Sequence, residues 1–214
     1  MEDSFLHQGL RRKLVEQVRS KGIRNEAVLS ALMRVPRHLF MDSGFLKFAY
    51  SDKAFPIASG QTISQPFTVA FQTELLEVGE HDKVLEVGTG SGYQAAVLAE
   101  LGARVFTVER IRNLSQSAQI LLRELGYPVK FFVADGNLGL PAFAPYDRIL
   151  VTAGARELPE PLKYQLAPGG IMVVPVGPAD CQTMTRCIRT GDDSFEVTTH
   201  GSFVFVPMKE KIED

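Results

Sequence analysis

The rhythm of apolar positions changes near residue 80. Before it they recur at helical spacing: Leu10, Leu14, Val15 and Val18 mark one amphipathic helix, and Ala27, Val28, Ala31, Leu32 and Val35 mark a second. Asn25 suits the N-terminal cap of that second helix and Pro36 ends it. Between Pro36 and Gly60 the pattern dissolves into short apolar pieces broken by Gly44, Pro56 and Gly60, which predicts loop or short strands wrapped on the main body. Helical spacing resumes with Val69, Ala70, Thr73 and Leu76, behind Pro66 at a suitable first helical position.

From Lys83 onward, compact apolar runs alternate with helical ones. KVLEV (83–87), RVFTVE (104–109), VKFFVAD (129–135), DRILVT (147–152) and GIMVVPVG (170–177) read as strands, with helices predicted over 91–101, 114–125 and 158–166. Strands joined by crossover helices form a parallel sheet covered on both faces. The last two runs, TMTRCIRTG and SFEVTTHGSFVFVPM, have no helix between them and predict antiparallel strands. The fold class expected is therefore α/β: a Rossmann-like, doubly wound, mostly parallel sheet. It forms one domain over 1–214, with a helical N-terminal region (1–80), a parallel core (81–178) and C-terminal strands (179–214).

Composition narrows the partners. With 45% hydrophobic residues the 214-residue chain can bury a full core, and 23 basic against 25 acidic residues leave a net charge of -2, which argues against nucleic acid or anionic membrane as a partner. No apolar run approaches the roughly 18 residues needed to span a bilayer, and the first residues lack the layout of a signal peptide, so a cytoplasmic location is expected. Cys181 and Cys187 read as reduced thiols of minor structural weight. His7, His38, His81 and His200 are scattered without ligand spacing, as surface or turn residues, and no metal site is expected.

The segment EVGTGSGY, residues 86–93, closes the first parallel strand and opens a helix, the place where open α/β sheets bind ligands. Gly88, Gly90 and Gly92 allow a sharp turn and close approach of the backbone. The dinucleotide fingerprint wants glycine or alanine where Tyr93 stands, so the loop is a poor pyrophosphate cradle. Glu86 suits a ligand that offers a cationic amino group, as S-adenosylmethionine does, and the start of the following helix favours that ligand's carboxylate. Glu109, about twenty residues on at the end of the second strand, suits ribose hydroxyls; alone it reads as a solvated glutamate paired with Arg110 or Arg112. Asp135-Gly136 suits adenine and equally suits a simple turn.

Together, EVGTGSG, Glu109, ADG and LAPGGIMVVPVG resemble class I S-adenosylmethionine-dependent methyltransferases. VPRHLF (35–40), GQTISQP (60–66), VLEVGTGSGYQAAVLA (84–99), ERI (109–111), APYDRILVTA (144–153) and FVFVPM (203–208) narrow the likeness to the protein-L-isoaspartate O-methyltransferase family, from about Leu10 to Met208. The resemblance implies S-adenosylmethionine as cofactor and L-isoaspartyl residues of damaged proteins as substrate. In that family the free α-carboxylate is methylated and the ester collapses to a succinimide, which returns some normal aspartate. It implies cofactor binding at Gln65, Glu86, Gly88, Gly90, Glu109, Arg110, Asp135 and Gly136, and substrate binding at Ile63, Ser64, Val204 and Val206, the last two through main chain. The Ser64 hydroxyl is implied to orient the substrate carboxylate as the catalytic group. Read from residues alone, Ser64 or Gln65 equally suits a helix cap, and FVFVPM equally suits a buried edge strand.

Three rivals stand beside this reading: a methyltransferase of the same fold acting on a small molecule, a non-catalytic binding module that keeps the fold, and a nicotinamide-dependent reductase. Tyr93 and the lack of a hydride-transfer constellation disfavour the last. A monomer is expected.

Overall fold

The computed structural model describes residues 3–213. Its N-terminal region begins with α1 (Phe5–Ser20) and α2 (Glu26–Arg34). Asn25 caps α2 as expected, its side chain accepting from the Ala27 and Val28 amides. Leu14, Val15 and Val18 of α1 face the core, but Leu10 does not: with Phe5 and Leu6 it is exposed, while His7 and Arg11 of the same turns pack inward. Ala27 is likewise exposed on the outer face of α2. Three short 3-10 turns and a two-stranded antiparallel ribbon, β1 (Phe55–Pro56) with β2 (Thr62–Ile63), occupy the stretch with no periodicity. Helix α3 (Pro66–Leu76) then leads into the sheet.

The sheet contains β3 (Lys83–Val87), β4 (Arg104–Glu109), β5 (Lys130–Val133), β6 (Tyr146–Val151), β7 (Leu166–Val176), β8 (Gln182–Arg189) and β9 (Phe195–Phe203) in the order β5-β4-β3-β6-β7-β8-β9. The first five pair in parallel, and β7-β8-β9 pair antiparallel. The intervening helices are α4 (Tyr93–Glu100), α5 (Arg112–Glu124) and α6 (Glu160–Lys163). Alternate strand residues feed two cores. Val84, Val105, Leu150 and Val173 meet α1 to α5 on one face, whereas Leu85, Phe106, Ile149 and Met172 meet Leu162 of α6 and the loops on the other.

The helix expected over 158–166 shrinks to one turn, and the strand expected from 170 starts at Leu166. The sheet captures the chain early: the Tyr146 amide donates to Gln165 O at 2.8 Å and Leu166 pairs with Tyr146, so APGG forms an irregularity inside β7 rather than a helix end. FVFVPM is not a continuation of the edge strand either. Beyond Phe203 the chain leaves the sheet and crosses to Gly154, whose N–H donates to Val206 O and whose carbonyl accepts from the Met208 amide, both at 2.8 Å. Among the described residues no helix is long and apolar enough to cross a membrane.

Candidate active site

Register places the carboxyl ends of the central strands side by side: Val87 lies opposite Val108 on β4 and Val151 on β6, and Glu109 opposite Val133 on β5. Over these ends opens a cleft lined by the glycine loop, residues 61–64, Glu109, Gly136 and Thr152. Its floor is the glycine loop. Gly88 has φ +99°, and a Cβ there would lie 2.5 Å from Thr152 Oγ1, whose hydroxyl bonds Gly88 O. A Cβ on Gly136 would lie 2.5 Å from Val87 Cγ1, so at both positions the packing of the cleft's own wall admits only glycine.

Glu109 is pinned, not loose. Its two carboxylate oxygens accept from the Gly90 and Ile111 amides, each at 3.0 Å, while its neighbour Arg110 pairs with Glu213. The side chain is thus held in one orientation on the cleft wall, with further lone pairs open to hydroxyl donors. Glu86 lies elsewhere. It is fully buried behind the loop, one oxygen accepting from the Thr107 hydroxyl at 2.6 Å and the other having no protein partner. Burial without a cation pushes its carboxyl up to about 8, so it holds a proton at neutral pH.

Ser64 sits between β2 and α3, where two clefts meet. The second cleft runs over Gln65, Phe67, Thr68, Cys181 and residues 202–206. Ser64, Thr62, Thr152 and Val206 line both. Neither Ser64 nor Gln65 caps α3. Asp52 does so from outside, its Oδ1 accepting the Phe67 amide at 2.8 Å and its Oδ2 the Gln65 side-chain amide at 3.1 Å, with Lys21 paired alongside. The loop carrying Asp52 is tied in turn by buried Arg37, which donates to Ala49 O and Lys53 O and lies 5.0 Å from the Tyr93 ring centroid.

Of the residues singled out from sequence, the structure brings Ile63, Ser64, Gly88, Gly90, Glu109, Arg110, Gly136 and Val206 onto the first cleft. Gln65 and Val204 line the second instead. Asp135 turns one oxygen back onto the Asn137 amide and side chain, closing the turn that presents Gly136. Thr62, Gln94, Thr152 and Met208 also line the first cleft; all four lie in segments that carry the family resemblance, where no local pattern distinguishes them as site residues. The histidines correct the expectation of scatter. His38 is fully buried and stacks on His7 with centroids 3.8 Å apart, its Nδ1 2.7 Å from Tyr50 Oη, and Asp3 completes a group whose ligand atoms lie within 4.8 Å. Long-range packing of α1 on the 3-10 turn at Arg37–Phe40 assembles them, which no local spacing announces. Arg11 already pairs with Asp3 there.

Comparison with known proteins gives this geometry a lineage. The profile of the protein-L-isoaspartate(D-aspartate) O-methyltransferase family matches residues 9–213. The chain belongs to this family. Its relatives include the protein-L-isoaspartate O-methyltransferases of Christiangramia forsetii, 55% identical over 98% of this chain and 99% of that one, and of Cytophaga hutchinsonii, 53% identical over 99% and 96%. A solved protein-L-isoaspartate O-methyltransferase superposes with TM-score 0.83 at 29% identity, covering 92% of this chain and 65% of that one. A Plasmodium falciparum member solved with S-adenosyl-L-homocysteine superposes with TM-score 0.82 at 22% identity, over 93% and 98%, and shares the fold. Such methyltransferases use S-adenosylmethionine, and the cleft, with the pinned Glu109 carboxylate on its wall, suits a ligand that offers hydroxyl donors, as that molecule does.

Proposed function

We infer that this protein methylates the free α-carboxylate of L-isoaspartyl residues in damaged proteins and peptides, using S-adenosylmethionine. The ester formed closes to a succinimide, and hydrolysis of that ring returns some normal aspartate. Membership of the family carries the activity, and the position of Ser64 on the wall shared by two clefts supports the way it is carried out.

The cofactor brings a methyl group on a sulfonium leaving group. The protein's own task is placement. A carboxylate of pKa about 4 is ionised at neutral pH, so the nucleophile needs no general base. Ser64 orients that carboxylate from the junction, with Ile63 beside it. Glu109 holds the ribose hydroxyls, Gly88 and Gly90 admit the amino-acid part, Arg110 flanks it, and Asp135-Gly136 present the adenine wall. Main-chain groups at Val204 and Val206 receive the peptide in the second cleft, with Gln65 fixing its rim through Asp52. Holding two reactants in line with water excluded supplies about 7–11 kcal/mol.

On this reading the chain acts as one domain, as a monomer in the cytoplasm, a compartment in keeping with two free cysteines. The assignment is tested with labelled S-adenosylmethionine and a pair of peptides that differ only in an isoaspartyl or aspartyl linkage. The isoaspartyl peptide alone takes the label; equal labelling of both, or of neither, overturns the substrate.

A further inference from the structure

At the amino ends of three neighbouring strands, away from the first cleft, stand Lys83 on β3, Arg104 on β4 and Lys130 on β5. Register sets them on one face of the sheet: Lys83 lies opposite Arg104, and Lys130 opposite Phe106, two residues along β4. All three line a pocket whose remaining lining is apolar and includes Ala103, Val105 and Phe106. The Lys83 and Lys130 ammonium groups lie 5.5 and 4.8 Å from the centroid of the same Phe106 ring, and Lys83 also lies 5.3 Å from that of Tyr146. A ring attracts a cation without neutralising it. Arg104 donates from Nε to His81 O at 2.9 Å, which leaves its two Nη groups for another acceptor. The neighbouring acids are engaged elsewhere: Asp147 accepts the Lys83 main-chain amide at 2.7 Å, Asp82 accepts the Gly79 amide and lies 3.5 Å from Arg148, and Glu80 sits beside His81. Among the described residues none forms an ion pair with the three cations, and no acid lines the pocket. Like charges gathered in this way repel one another, and a multivalent anion removes the repulsion.

We propose that this pocket binds an organic phosphate, its phosphate on Lys83, Arg104 and Lys130 and its apolar body against Ala103 and Val105. The chemistry of the lining matches both halves of such a ligand. The Nη edge of a guanidinium holds two phosphate oxygens at once, and lysines add point charges beside it. An inorganic ion makes no use of the apolar wall, and a neutral ring makes none of the cations. The site is separate from the reaction centre, because β3 runs about 13 Å from Lys83 to the glycine loop at its other end.

Amide NMR titrations test this, with S-adenosylhomocysteine added first so that the cofactor cleft is filled. Phenyl phosphate shifts the amides of residues 102–106 and 129–131 and binds about tenfold more tightly than inorganic phosphate, as burial of its ring requires. Phenol leaves those amides in place. Lys130→Met and Arg104→Gln each weaken phenyl phosphate by about fivefold, the worth of one good ion pair at a surface, and turn over an isoaspartyl peptide at the wild-type rate. Both side chains are exposed, so the variants fold, and ligand-free melts near wild type verify it. Absence of shifts with phenyl phosphate, or equal shifts with phenol, overturns the site. Unweakened binding in both variants overturns it too. Equal affinity for inorganic and phenyl phosphate removes the organic body from the assignment, and the proposal falls with it.

Discussion

Asp52 caps helix α3 from a loop fifteen residues earlier, its Oδ1 2.8 Å from the Phe67 amide. The helix that follows Ser64 therefore starts without using Ser64 or Gln65, and the serine hydroxyl is left for the cleft junction. The side chain of Asp52 is almost wholly buried and also holds Gln65 and Lys21, so one carboxylate joins α1, the loop and the start of α3.

Replacing Asp52 by Ala removes that cap. The expected loss is about 1 kcal/mol or more of stability, with a fall in kcat as the Ser64 segment loosens. Asp52→Asn keeps an acceptor for the Phe67 amide and loses less of both. Denaturant melts and single-turnover rates on the two variants check this; equal turnover in Asp52→Ala and wild type would separate the cap from the chemistry.

Ser64→Ala behaves differently. It removes no capping bond, so the melting temperature and the affinity for S-adenosylhomocysteine stay near wild type while turnover of an isoaspartyl peptide falls about 100-fold, the usual cost of one positioning group. Unchanged turnover would take the serine out of the reaction.

Glu86 makes stability depend on pH. Its folded carboxyl titrates near 8, while in the unfolded chain it titrates near the ordinary glutamate value, so between about pH 4.5 and 8 the fold retains a proton that the unfolded chain has released. Stability contributed at this site is then lost as pH rises through that window and levels off above it, by up to about 1.4 kcal/mol per pH unit. Glu86→Gln keeps the shape without the titration. Its stability relative to wild type rises from pH 5 to 8 and is flat beyond, as denaturant melts at several pH values will read; a difference independent of pH would show that the buried group is ionised throughout.

The strands, their order along the chain and the glycine loop were legible in the sequence because each is a local pattern: an apolar run, a strand end, a turn residue. Lys83–Val87 and Arg104–Glu109 came out to the residue. The one-turn α6 escaped, since the pairing of Leu166 with Tyr146 overrode the helical signal. Of the site, local pattern pointed to Gly88, Gly90, Glu109 and Gly136, and the family likeness to Ser64. The tertiary structure alone decided what their neighbours do. Asp52 reaching Phe67, Arg37 tying the loop, His7 stacking on His38, Glu86 turned inward and Gln94 donating to Thr73 all depend on contacts between segments far apart in the chain. Burial and hydrogen-bond partners belong to the folded neighbourhood, and a one-dimensional pattern carries neither.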